Sequence, residues 1–308
     1  MTRLLVRRAL ELAITLIGIW TVLFFVIRLS GDPIALLMGP NASAEQIEAM
    51  RADLGLDRPL ATQYLLELKR MATLDFGRSI RGGQRALDLA CSRLAISLQL
   101  TASAMLLAVA LAIPVGIAAA AWRERRWTRW LLGLTFLGQA LPIFWTGPML
   151  ILLFAVTWQL LPVAGWQSLA HGVLPVITLA SVLLAKLARM VRAEMLEVLG
   201  QDYIRTARSK GLPQNTILMV HGARNAMIPV ITVMGTEFGQ LVGAAVLTES
   251  IFAIPGLGDM LLNAALARDY PVVQAGVFVI TLVVVGVNAM VDIAYTLIDP
   301  RVRHAIDA

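Results

Sequence analysis

The sequence predicts an all-α membrane protein with six transmembrane helices and both termini in the cytoplasm. Three observations predict it. First, the 308 residues are 58% apolar and only 15% charged, with a mean hydropathy of +0.75. Soluble domains sit at about 45–50% apolar and about 25% charged. Disorder needs the opposite balance, and one water-bathed core could not hide this much apolar side chain. Second, six apolar runs, Ala9–Leu29, Leu94–Ala121, Trp130–Trp158, Gly172–Ala188, Ala226–Leu247 and Val272–Leu297, suit the roughly 20 residues that a bilayer-spanning helix needs. A membrane β-barrel would show alternating segments of about ten residues instead. Third, Lys and Arg crowd alternate connections, which sets the orientation.

The first run follows Arg3, Arg7 and Arg8. It is long for a signal-peptide core, and no small-x-small cleavage site follows it, so it reads as an uncleaved span. Glu11 and Arg28 sit near its two ends and can snorkel. Residues 30–93 form a long outer segment with eight acidic and eight basic residues, too long to obey the charge rule strictly. Within it, Ser43-Ala44-Glu45-Gln46 reads as a capping box for a short helix ending at Gly55. Pro59 stands where a second helix would start, and Tyr64, Leu65 and Leu68 give that helix an apolar face. Asp75-Phe76-Gly77-Arg78-Ser79 reads as a turn. The only cysteine, Cys91, allows no intramolecular disulfide and reads as a small residue near a helix start.

The second–third connection carries Arg123, Arg125, Arg126 and Arg129 against Glu124. The fourth–fifth connection, with the end of the fourth run, carries Lys186, Arg189, Arg192, Arg205, Arg208, Lys210 and Arg224. The C-terminus adds Arg301 and Arg303. The opposite side is poor in positives: Gln159–His171 has no Lys or Arg, and Thr248–Pro271 has Arg268 against Glu249, Asp259 and Asp269. The net charge of +6, which in a soluble chain would suggest nucleic acid, therefore reads as an orientation signal, and no nucleic-acid partner is expected. The organisation expected is one membrane domain over 1–308, with an extracytoplasmic helical loop at 30–93 and a cytoplasmic loop at 192–224 inside it.

Enzyme signatures do not occur. The chain has no Gly-x-x-x-x-Gly-Lys-Ser/Thr phosphate loop, no His-Glu-x-x-His, no Cys-x-x-Cys and no Gly-x-Ser-x-Gly. His171, His221 and His304 fall on three segments and suggest no ligand cluster. No catalytic residue, metal site or cofactor is expected in the chain.

Ionisable residues inside the membrane are expensive and usually functional. Glu237 lies mid-run and Asp292 toward the inner end of the sixth run. Glu237 has two readings: a lumen-facing group that touches substrate or a coupling ion, or an interhelical contact to Asn288, Thr232 or a partner chain. Asp292 reads as a pathway group or as an anchor near the cytoplasmic interface. Gly235, Gly239 and Gly243 share one helix face, which suits close packing or a gate along the pathway. Glu237, Gly239, Asn288 and Asp292 are the pathway candidates.

Residues 192–213 hold two short helical patterns. The first continues the fourth run to about Leu199. The second opens with Asp202 as N-cap and closes at Gly211, and Pro213 forbids continuation. Arg208 and Lys210 suit its C-terminal dipole end. A short rigid helix between two spans would dock a soluble partner. The plainer alternative is a solvated basic loop.

Here the sequence resembles a known family, the permease subunits of ABC importers of the dipeptide, oligopeptide and nickel class. Asp202-Tyr203-Ile204-Arg205-Thr206-Ala207-Arg208-Ser209-Lys210-Gly211-Leu212, then His221, then Arg224-Asn225-Ala226-Met227-Ile228-Pro229, is similar to that class's form of the permease "EAA" loop. Further similar segments are Arg28-Leu29-Ser30-Gly31-Asp32-Pro33, Leu54-Gly55-Leu56-Asp57-Arg58-Pro59-Leu60, Asp75-Phe76-Gly77-Arg78-Ser79, Glu249-Ser250-Ile251-Phe252 with Pro255-Gly256-Leu257-Gly258, Arg268-Asp269-Tyr270-Pro271-Val272-Val273-Gln274 and Asp299-Pro300-Arg301-Val302-Arg303.

The resemblance implies a type I importer permease fold in the bacterial inner membrane. It implies a second permease subunit as heterodimer partner, two cytoplasmic ATPase subunits that bind ATP and Mg, an extracytoplasmic binding protein, and membrane lipid around the spans. Carried over by position, Asp202, Tyr203, Arg205, Thr206, Ala207, Arg208, Lys210 and Gly211 form the ATPase-coupling element. Arg205, Thr206 and Ala207 stand where the general loop has Glu-Ala-Ala, so arginine replaces glutamate. The expected function is half of a translocation pathway for peptides or a related solute such as a nickel chelate, glutathione or an opine. The alternative is an ion-coupled secondary carrier using Glu237 and Asp292, although no inverted repeat relates the halves. A membrane scaffold or receptor without transport is a third class.

Overall fold

The computed structural model describes Thr2–Leu29, residues 43, 45, 48 and 49, and residues 57–298; the side chains at 2–9, 137 and 292–298 lie outside the description. The expected capping box and the short helix ending at Gly55 therefore fall outside the described residues, as do Ser30–Pro33 and Asp299–Arg303. Among the described residues the structure is helical, with one isolated bridge between Arg78 and Arg85. Ten helices are numbered here: α1 (Thr2–Leu29), α2 (Leu60–Ala72), α3 (Ala86–Ala121), α4 (Arg126–Ala140), α5 (Ile143–Leu150), α6 (Leu169–Leu199), α7 (Asp202–Ser209), α8 (Gln214–Ile251), α9 (Leu257–Leu266) and α10 (Tyr270–Ile298).

Five of these are long and apolar enough to cross a membrane, or six if one bent pair counts as a single span. The bent pair is the expected third span. α4 and Ile143–Thr157 meet at 106°. The break falls at Leu141-Pro142, because Pro142 has no N–H to carry the helical ladder forward. Beyond it, Ile151–Thr157 winds as a π-helix. The other helices outrun their apolar cores: α3 begins at Ala86, and α8 begins at Gln214, well before the apolar run at Ala226. α8 also carries a π segment, Ile217–Ala223.

The chain divides into two compact units, Met1–Leu94 with Met260–Val285, and Ala95–Asp259 with Gly286–Ala308. In the first unit, an aromatic cluster joins α1, the 75–79 turn and α10: Trp20 to Phe76 at 5.6 Å and Phe76 to Phe278 at 5.1 Å between centroids. α2 follows its expected apolar face in part. Tyr64 packs edge-on against Phe24 at 5.2 Å, its hydroxyl meets Thr21 Oγ1 at 2.7 Å, and Leu68 is half-buried. Leu65, however, is 64% exposed, while Gln63 is buried and faces Arg28. The Arg28 guanidinium lies 3.5 Å over the Phe24 ring, donates to Gln63 Oε1 (2.6 Å) and approaches Glu67 (3.4 Å). Arg28 is thus an anchor for α2 rather than a snorkelling end group. Gln274 donates to the other Glu67 oxygen at 3.0 Å. Asp269, buried, holds the turn from below: it accepts from Ser79 Oγ (2.6 Å) and the Ile80 N–H (3.1 Å).

In the second unit, the core gathers Leu100, Leu174, Leu179, Leu183, Leu187, Leu241 and Phe252 from α3, α6, α8 and the chain after α8. Leu179, Leu183 and Leu187 repeat at helical spacing along α6, where Pro175 is absorbed without ending the helix.

Candidate coupling helix and membrane charge pair

α7 is an eight-residue helix between the end of α6 and the start of α8. Its boundaries follow from the chain. Gln201, in extended conformation, precedes the first turn and makes no side-chain cap bond. Asp202 is therefore the first helical residue rather than the N-cap. Its carboxylate instead faces Arg205 one turn on, at 3.4 Å, with both side chains solvent-exposed. At the other end the Gly211 N–H bonds Arg208 O (2.9 Å) and the Leu212 N–H reaches Ala207 O (3.4 Å). This is the closing pattern of a Schellman cap. It requires a left-handed residue, and Gly211 supplies φ +74° without a Cβ clash.

The helix is amphipathic on a small scale. Ile204 and Ala207 point inward and are buried with Ile217 and the partly buried Leu199. Asp202, Tyr203, Arg205, Thr206, Arg208, Ser209 and Lys210 remain exposed. Ala207 therefore seats the helix, while Arg205 and Thr206 present themselves to solvent. Tyr203 is a second fastening: its hydroxyl accepts from Asn225 Nδ2 at 2.9 Å. The sequence expectation had no signal for that link, because the two residues lie on different helices. The result is a charged rod clamped to the ends of two long helices.

The pathway candidates are not gathered into one cluster. Glu237 is buried, and its Oε1 takes a bond from Lys186 Nζ at 2.5 Å. Neither Asn288 nor Thr232 is its partner; Thr232 donates to Ile228 O. Lys186, expected among the basic residues at the end of the fourth run, lies on α6 and pairs with the carboxylate that α8 carries. Its side chain is 44% exposed, against 7% for Glu237. A charge pair inside the membrane avoids most of the cost of two isolated ions. Asn288 has its Oδ1 buried and unpartnered. Gly239 is half-buried. The backbone of Asp292 lies in α10, and its side chain lies outside the described residues. On the glycine face, a Cβ at Gly235 would overlap Val291, so α8 and the end of α10 approach closely there, whereas Gly243 faces open space.

Glu249, buried, is a functional-looking carboxylate that turns out to be a fastener. It accepts from the Gly258 N–H (2.7 Å) and the Asp259 N–H (3.1 Å), while Ser97 Oγ accepts from the Leu257 N–H (2.8 Å). Together they satisfy the free N–H groups that open α9.

A multi-helix membrane protein with an exposed helix clamped between two spans is the class these features define. The chain belongs to the family described as binding-protein-dependent transport system inner membrane component, matched over residues 112–304, with that family's N-terminal part matched over residues 1–107. It is 39% identical over 337 residues to the dipeptide transport system permease protein DppB of Escherichia coli (strain K12), covering 99% of each chain. It is 39% identical over 305 residues to the glutathione transport system permease protein GsiC of Escherichia coli (strain K12), covering 99% of this chain and all of that one. A solved amino acid ABC transporter with histidines shares the fold, with a TM-score of 0.50 at 15% identity over 70% of this chain and 94% of that one.

Proposed function

We propose that the chain is a permease subunit of an ABC importer for peptides or a related small solute, and that α7 is its coupling helix. In this reading the chain spans the membrane six times with both termini in the cytoplasm. It forms half of the pathway with a second permease. Two ATPase subunits bind and hydrolyse ATP, and an extracytoplasmic binding protein delivers the solute. The peptide class rests on the two relatives, whose named substrates are a dipeptide and glutathione.

The observation that carries the proposal is the construction of α7. Asp202, Arg205, Thr206 and Arg208 stand outward on a helix that Ile204, Ala207 and Gly211 hold at a fixed angle. A partner that grips this face and moves would pass the displacement to α6 and α8 together. An interface of this kind switches a bistable bundle between its inward-open and outward-open states. Glu237 and Lys186 then serve as a neutral pair inside the pathway subunit. The ion-coupled carrier loses its main support, because Glu237 already holds a cation of the chain itself.

The test is uptake of labelled dipeptide by proteoliposomes holding both permeases, the ATPases and the binding protein. Uptake that needs ATP and is indifferent to ion gradients supports the reading. Uptake driven by an ion gradient without the ATPases, and lost in Glu237→Gln, overturns it.

A further inference from the structure

We propose that the cleft beside the coupling helix holds the headgroup of an anionic membrane phospholipid. The inference rests on the reading of α7 as the coupling element. The cleft measures about 440 Å³ and is lined by Ala120, Ala121, Leu196 and Leu199, by Arg123, Arg125 and Arg208, and by Trp122, Glu124 and Gly200. The four apolar residues stand at the ends of α3 and α6. The lining carries three guanidiniums against one carboxylate, and Glu124 pairs with Arg123 at 3.2 Å. Net positive charge remains.

The wall is built rather than loose. Thr128, buried, donates to Trp122 O (3.0 Å) and Arg125 O (2.7 Å), and the Arg125 N–H bonds Trp122 O at 2.9 Å. Trp122 and Trp127 lie 5.9 Å apart with their rings tilted by 43°, and Trp122, Trp127 and Trp130 are 40%, 49% and 79% exposed. Exposed tryptophans on helix ends mark the membrane–water interface. A lining that is apolar in part and cationic in part, next to those tryptophans, fits an acyl chain and a phosphate together, which an acidic protein surface does not need. Basic pockets between spans on the cytoplasmic side take anionic headgroups in this way. Arg208 belongs to α7, so an occupant would bias the position of the coupling helix.

The experiment uses the whole complex and phosphatidylglycerol as the probe. Native mass spectrometry reads phosphatidylglycerol retained by the parent and by Arg123→Gln with Arg125→Gln. Proteoliposomes of phosphatidylcholine, with or without phosphatidylglycerol, read ATP-driven uptake. The parent is expected to retain the lipid and to transport several-fold faster with it. Retention should fall about fivefold for each arginine removed. The double variant should match the parent in phosphatidylcholine alone and gain nothing from phosphatidylglycerol. Equal retention, or equal stimulation of variant and parent, overturns the proposal. So does loss of the ATPase subunits from the variant, which would assign the cleft to a protein. Stimulation of phosphatidylcholine vesicles by soluble glycerol phosphate would likewise remove the lipid as the source. Retention is read without transport, so failure of the coupling reading leaves that result standing by itself.

Discussion

Glu237 and Lys186 show how far single residues carry the account. Removing one partner of a fully buried pair costs about 3–5 kcal/mol, whereas replacing both with apolar side chains can be neutral. Lys186 is 44% exposed, so losing Glu237 costs less than that range. Glu237→Ala is therefore expected to lower the melting temperature of the detergent-solubilised chain. Lys186→Met combined with Glu237→Leu should restore most of it, and a double variant as unstable as the single one would contradict the pairing. Gly211 gives a second prediction. A β-branched residue at φ +74° costs about 1–2 kcal/mol in the left-handed region. Gly211→Val should impair ATP-driven uptake while the amount of chain in the membrane, read by immunoblot, stays near the parent level. Glu237 was legible in the sequence because a carboxylate inside an apolar run has few innocent explanations. Lys186 was read as one of the basic residues at the end of the fourth run, and only the packing of α6 on α8 places it opposite Glu237. Ala207 was legible as part of the coupling segment, but its inward direction depends on Leu199 and Ile217, which lie on other helices.

At the scale of elements, apolar length located the spans and missed their ends. Periodicity cannot tell where an apolar helix stops when polar turns continue it, as in α3 and α8. The break at Leu141-Pro142 carried a proline signal, but the size of the bend, 106°, did not, nor did the contact of α4 with α6, where the Arg189 guanidinium covers the Phe136 ring at 4.8 Å. α2 was read correctly at Tyr64 and missed at Leu65: its inner edge also holds Gln63 and Glu67, which Arg28 satisfies, and hydropathy gave no sign of that polar edge. That edge titrates. Burial pushes the Glu67 carboxyl above the usual glutamate value, and the Arg28 charge opposes the shift without cancelling it. A raised folded-state pKa means that the folded chain binds the proton more tightly than the unfolded chain. This stabilising contribution is fully present below the ordinary glutamate pKa of about 4.3 and is lost as pH rises through the folded value. Glu67→Gln should therefore flatten the pH dependence of melting just above that pH, and an unchanged profile would contradict the assignment.

At the scale of the whole molecule, the membrane class was legible in the sequence because composition, run length and charge asymmetry all report on the bilayer as solvent, and the family because segments such as 202–212 and 249–258 resemble its loops. What was not legible is how the charged surface of α7 is divided between seating and display. The structure makes Ile204 and Ala207 the seat and Arg205 the display, with the Arg205 side chain 78% exposed. Changing Arg205 should then alter the partner contact and leave the fold untouched. The most direct measurement is ATP-driven uptake of labelled dipeptide by the reconstituted complex carrying Arg205→Glu. The account predicts a loss of about tenfold or more, corresponding to about 1.4 kcal/mol of contact energy, with the variant present in the membrane and melting like the parent. Uptake at the parent rate would contradict the assignment of α7 as the coupling helix.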